Sequence, residues 1–181
     1  MLQRSQIAAT IFDLVNTNER TLFFRYRLSL AAFIIGLVVS GLTAFPLRAE
    51  LSILLKLVGK SDPVASVHAH GLRHWVGFVD LGLRETYARF PFFGYATDWL
   101  AVGHFVIAAF FVLPLVDPAR YRGVLYVGLV ARTSVILEAL ICGPIRGIPF
   151  FWTLIDCSFG IFGAIPLLYC LRLANEISRQ L

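Results

Sequence analysis

The sequence predicts an all-α membrane protein: one domain with a polytopic four-helix transmembrane bundle and amphipathic interfacial helices in the first connection. Three observations predict it. The chain is 58% hydrophobic and only 15% charged, where soluble domains carry about 25% charged residues. Its mean hydropathy is +0.76. Four apolar runs are each about long enough to cross a hydrocarbon core of ~30 Å, and Pro, Gly or Arg punctuates their ends.

Residues 1–27 form an amphipathic leading segment, with a surface helix over 3–20 in which Ile7, Ile11, Leu14 and Val15 share a face. The first span, 28–45, is uncharged, follows Arg20, Arg25 and Arg27, and stops at Pro46. It is long enough to be retained as an anchor rather than removed as a signal peptide. Residues 46–97 are a structured connection. Leu51, Leu54, Leu55 and Val58 mark a first amphipathic helix, which Gly59, Ser61, Asp62 and Pro63 break. Leu72, Trp75, Val76, Val79, Leu83, Tyr87 and Phe90 recur at helical spacing in a second, leaving Arg73, Asp80 and Arg84 mostly off that face.

The second span, 98–116, is approached through Tyr95 and Trp99, with Asp98 placed to accept from the free N–H groups of its first turn. Pro114 and Asp117-Pro118 end it. The third span is 123–142, then Gly143-Pro144-Ile145-Arg146-Gly147 turns the chain into the fourth, 148–171. A polar, amphipathic tail, 172–181, follows.

Four spans put both ends of the chain on one side. Arg4, Arg20, Arg25, Arg27, Arg120, Arg122, Arg172 and Arg179 fall there, against Arg48, Lys56, Lys60, Arg73, Arg84, Arg89 and Arg146 opposite. The excess, sharpest around the first span, predicts cytoplasmic termini. The net charge of +5 is scattered, without the basic face that a nucleic-acid partner needs. The expected surroundings are the lipid bilayer, with a membrane-protein partner or further copies of the chain. Cys142, Cys157 and Cys170 lie in or beside apolar runs without a CxxC, as small buried hydrophobes do.

The most informative pattern is a coincidence of depth. At ~1.5 Å rise per residue, His104 lies ~9 Å into the second span, Glu138 ~8 Å into the third and Asp156 ~12 Å into the fourth, all from the same side. Arg146 stands in the turn above them, and Arg132 lies near mid-span. Arg132 and Glu138 are six residues apart, about 120° around the helix, so Arg132 is expected to meet Asp156 or another subunit. A carboxylate in lipid costs roughly 2.5–3.5 kcal/mol on insertion scales, so such groups face protein or water. Two uses compete. One is a hydrogen-bonded network that fixes helix register. The other is a site, with His104, Glu138 and Asp156 as catalytic candidates and Arg146, Arg132 and Asp98 as ligand or anion contacts. A His and two carboxylates also suit a metal, though no HExxH supports one.

A second metal candidate is His68, His70 and His74, the last two being four apart on a helix that Gly71 weakens. There is no P-loop, GxGxxG, GxSxG or CxxCH, and no cofactor is indicated. The strings GYATDWLAVGH and ICGPIRGIPFFWTLIDCSFGIFGAIPL resemble uncharacterised four-helix bacterial membrane proteins, over most of the chain after Phe45. That resemblance implies a bacterial inner membrane and no particular activity. The residues favour a non-enzymatic accessory or binding subunit with a buried polar cluster in the outer half of the bundle. The alternatives are an intramembrane enzyme acting on a lipid-like substrate through His104, Glu138 and Asp156, or a proton-coupled carrier.

Overall fold

The computed structural model describes the backbone of residues 2–58 and 71–180, and the side chains of 19–57 and 71–179. The fold is all-α. Its helices are α1 (Leu2–Ala44), α2 (Leu47–Val58), α3 (Leu72–Arg89), α4 (Gly94–Val116), α5 (Arg122–Ile145) and α6 (Phe150–Gln180), with a 3₁₀ turn at Pro91–Phe93. Among the described residues, four segments are long and apolar enough to cross a membrane: Glu19–Ala44, Pro91–Val116, Arg122–Ile145 and Phe150–Arg179.

Three boundaries differ from the sequence expectation. α1 is one continuous helix of 43 residues, not a surface helix followed by a span beginning at 28. Residues 2–35 contain neither Gly nor Pro, so nothing interrupts helix propagation. α4 begins at Gly94, so Asp98 is its fifth residue and does not cap its first turn. Pro91 explains the early start: it opens the 3₁₀ turn that leads directly into α4. The tail is not separate either, since α6 runs to Gln180 and buries Leu173, Ala174 and Ile177.

The chain divides into two compact units. Unit 1 comprises Met1–Ile34, Ala109–Glu138 and Cys157–Leu181. Its core holds Tyr26, Leu30, Phe33, Phe111, Leu125, Leu167 and Cys170. Gly128 makes this packing close: a Cβ there would stand 2.5 Å from the Phe111 ring and 3.0 Å from Leu167. Phe33 and Phe111 meet edge to face, with ring centroids 4.8 Å apart. Arg122 Nη1 donates to Asn175 Oδ1 at 2.7 Å, tying the start of α5 to the end of α6.

Unit 2 comprises Ile35–Ala108 and Ala139–Asp156. Here α2 packs on α3. Asp80, expected off the apolar face of α3, is buried, and Arg84 one turn later covers it with a 2.9 Å ion pair. Burial without a cation would be costly for that carboxylate. Trp75 of α3 lies 6.4 Å from Trp152 of α6, centroid to centroid.

The α5–α6 turn is tighter than the five-residue stretch the sequence suggested. α5 continues through Pro144 to Ile145. Gly147 takes φ +70°; its N–H donates to Pro144 O at 3.1 Å, and the Ile148 N–H donates to Gly143 O at 2.9 Å. These two bonds around a left-handed glycine satisfy the last carbonyls of α5. Pro149 follows, and its carbonyl accepts from the N–H groups of Trp152 and Thr153 at the start of α6.

Candidate functional site

The residues that sequence depth grouped together fall in both units. Glu138 is the last residue of the α5 segment in unit 1, and its side chain is exposed. His104 and Asp156 belong to unit 2, each half-buried. Asp156 is not left without a partner. Among the described residues, no three His, Cys, Asp or Glu side chains are grouped so as to hold a metal ion. His68 and His70 lie outside the described residues. His74 sits in the first turn of α3, with its Nδ1 buried and unbonded.

In unit 2, His104 lies beside Gly41 of α1, where a Cβ would stand 3.1 Å from that of His104. Its Nδ1 is 2.8 Å from Leu100 O. A carbonyl only accepts, so Nδ1 carries a proton directed at it. Arg146, in the turn, is exposed, and Asp98 is half-buried.

Unit 1 contains the more unusual arrangement. Arg132 projects from the middle of α5 and lies between α1 and α6. Its Cζ stands 5.1 Å from the centroid of the Phe33 ring, a cation–π contact. Gly163 of α6 is also close: a Cβ there would lie 2.8 Å from Arg132 Nε, 2.9 Å from Cδ and 3.0 Å from Cζ. Only a residue without a side chain lets the guanidinium lie so close to α6. Gly160, one turn earlier, lets the α5 backbone approach in the same way, with Arg132 O 2.9 Å from where its Cβ would stand. The side chain is half-buried. Its stem and guanidinium thus lie against Phe33 and Gly163.

A guanidinium has five N–H donors. Among the described hydrogen bonds and ion pairs, none runs from the Arg132 guanidinium to a carbonyl, hydroxyl or carboxylate; its described contacts are with the Phe33 ring and the α6 backbone. Arg132 lies in unit 1 and Asp156 in unit 2.

Close by in unit 1 lies a second polar contact that sequence reasoning missed. Tyr26 is fully buried, and its phenol donates to Pro114 O at 2.8 Å. In a continuing helix that carbonyl would accept from residue 118, which is Pro118 and has no N–H. Tyr26 therefore supplies the donor that Pro118 takes away. The Cys170 thiol lies 3.8 Å from Tyr26 O and donates to it weakly. The Pro114/Pro118 spacing was the available signal, since a buried orphan carbonyl calls for a side-chain donor. No protein-family model matches the chain, and neither does any curated protein or solved structure.

Proposed function

We propose that this chain is a small, non-enzymatic binding subunit of a membrane, presenting Arg132 to an anionic group of a ligand or partner. One observation carries the reading: a half-buried guanidinium in the middle of a span, with no acceptor among its described contacts. An arginine at that depth costs roughly 2.5–3.5 kcal/mol on insertion scales. The Phe33 contact offsets only about 0.5–2 kcal/mol of that. An arginine that served stability alone would be better replaced by leucine. One that receives an anion gains charge-assisted hydrogen bonds on binding, each about twice as strong as a neutral one. The distribution of arginines supports cytoplasmic termini and an inner-membrane setting.

Native mass spectrometry of protein released in mild detergent tests this reading. The wild-type chain should carry a bound species or ride in a larger particle, and Arg132→Leu should release the bare chain. A bare chain from both proteins would sink it.

His104 favours a second reading, an intramembrane enzyme acting on a lipid-like substrate. Its Nδ1 proton is directed at Leu100 O, and in the neutral ring Nε2 is the base. If that base works, His104→Gln abolishes turnover of the substrate while leaving the thermal midpoint unchanged. Turnover undiminished in the variant would remove His104 from the chemistry.

A further inference from the structure

We infer that an exposed face of α5 seats a second copy of this chain, with Glu138 as the group that fixes the pair. The inference goes beyond the binding-subunit reading and does not depend on it. Arg132 lies about 100° or more around α5 from every residue of this face.

The first argument is the position of a carboxyl. Glu138 is exposed, yet it lies within Arg122–Ile145, a segment long and apolar enough to cross a membrane. It is seven residues from Ile145, the last residue of α5, which is ~10 Å along the helix axis. Lysine and arginine cover such a depth by extending a long stem to the interface. The glutamate stem is too short to do so. A carboxyl that faces acyl chains is costly, and groups of this kind face protein or water. The chain's own helices leave Glu138 exposed, so its cover comes from outside the chain.

The second argument is the pattern around it. Val127, Ala131, Ser134 and Glu138 are all exposed. They recur at spacings of four, three and four residues, which is the seam of a left-handed helix pair. Ala131 and Ser134 are small enough to let a second backbone come close. A single polar residue on such a seam sets the register and the number of helices, at a cost in stability. Glu138 holds that place on α5.

The third argument selects a second copy as the occupant. Copies inserted the same way present α5 in parallel, and a two-fold axis along the membrane normal brings equal heights together. Glu138 then meets the Glu138 of the second copy. Two carboxyls at one height bond to each other when one of them holds a proton. Ser134, one turn away, donates its hydroxyl to Val130 O at 3.0 Å. Its lone pairs remain for a protonated carboxyl across the seam. The face therefore carries both a donor and acceptors, as a self-complementary two-fold contact requires.

Energy transfer between donor- and acceptor-labelled copies of the full chain, in phosphatidylcholine liposomes of falling protein density, tests the proposal. The wild type should show saturable transfer above random proximity, with the stoichiometry of a pair. Glu138→Leu should weaken the pair ~10-fold or more, because the change acts in both copies. Glu138→Gln keeps a donor and an acceptor and should stay within ~3-fold of the wild type. Ala131→Phe adds a ring at a position that is exposed in the single chain, so it should weaken the pair while leaving each chain folded. Thr133→Val removes another exposed hydroxyl of α5, about 100° or more around the helix from the seam, and should change nothing. Wild-type transfer no higher than random proximity overturns the proposal. A pair that survives either Glu138→Leu or Ala131→Phe unchanged overturns it too, as does a Glu138→Gln pair as weak as that of Glu138→Leu. None of these results bears on Arg132, whose reading keeps its own test.

Discussion

Replacing Gly160 by alanine should lower the stability of the protein by about 1–3 kcal/mol, the usual cost of forcing extra volume into a packed contact. The new Cβ would stand 2.5 Å from Ile136 Cγ1 and 2.9 Å from Arg132 O. The isoleucine can change rotamer. The carbonyl belongs to the backbone of α5 and moves only if α5 and α6 part. Gly36→Ala and Gly103→Ala are the controls, since a Cβ at either position meets nothing within 4 Å. Alanine is favoured over glycine inside a helix by roughly 0.8–1 kcal/mol, so the controls should be neutral or stabilising. Thermal unfolding of the three variants in one detergent gives the comparison. A Gly160 variant that behaves like the controls would mean that α5 and α6 do not pack as described.

Tyr26→Phe should cost about 1–3 kcal/mol, because it leaves the buried Pro114 carbonyl without a donor. The sharper expectation concerns its partner. Pro118→Ala restores a backbone N–H four residues after Pro114, so it offers that carbonyl an alternative donor. In the Pro118→Ala background, Tyr26→Phe should therefore cost much less than in the wild type. A double-mutant cycle measured by unfolding isolates the coupling. Additive effects of the two substitutions would show that the phenol does not stand in for the N–H that proline removes.

These two contacts also show what the sequence made legible. The spans were legible because apolar runs of this length have few other fates, and the α5–α6 turn was marked by the stretch from Gly143 to Gly147, of which Gly147 takes the left-handed conformation. The start of α4 was missed because Asp98 looked like a cap, while Pro91 set the register seven residues earlier. The length of α1 was missed because Arg20, Arg25 and Arg27 were read as the approach to a separate span, although no Gly or Pro ends the helix there. Asp80 was assigned by its polarity to an outer face, although a cation one turn away allows a carboxylate to be buried.

The site was partly legible. Depth arithmetic put Arg132 at mid-span and flagged it as a group needing an explanation. It also grouped Glu138 with His104 and Asp156; Glu138 is exposed, and His104 and Asp156 are half-buried. The contact of Arg132 with Phe33 and Gly163 joins residues 99 and 31 positions apart. No local pattern encodes such a pairing. Gly160 permits the close approach of α5 to α6. That Gly163 would accommodate an arginine was a tertiary fact.

The central claim is that Arg132 is held for recognition and not for stability. It is tested most directly by the thermal midpoint of Arg132→Leu, measured on delipidated, ligand-free protein in an uncharged detergent. The leucine loses one cation–π contact and removes a half-buried charge. The midpoint should therefore match or exceed that of the wild type, to within about 2 °C. A fall of roughly 8 °C or more, equivalent to several kcal/mol for a chain of this size, would show that the guanidinium is a structural member of unit 1 and would contradict the account.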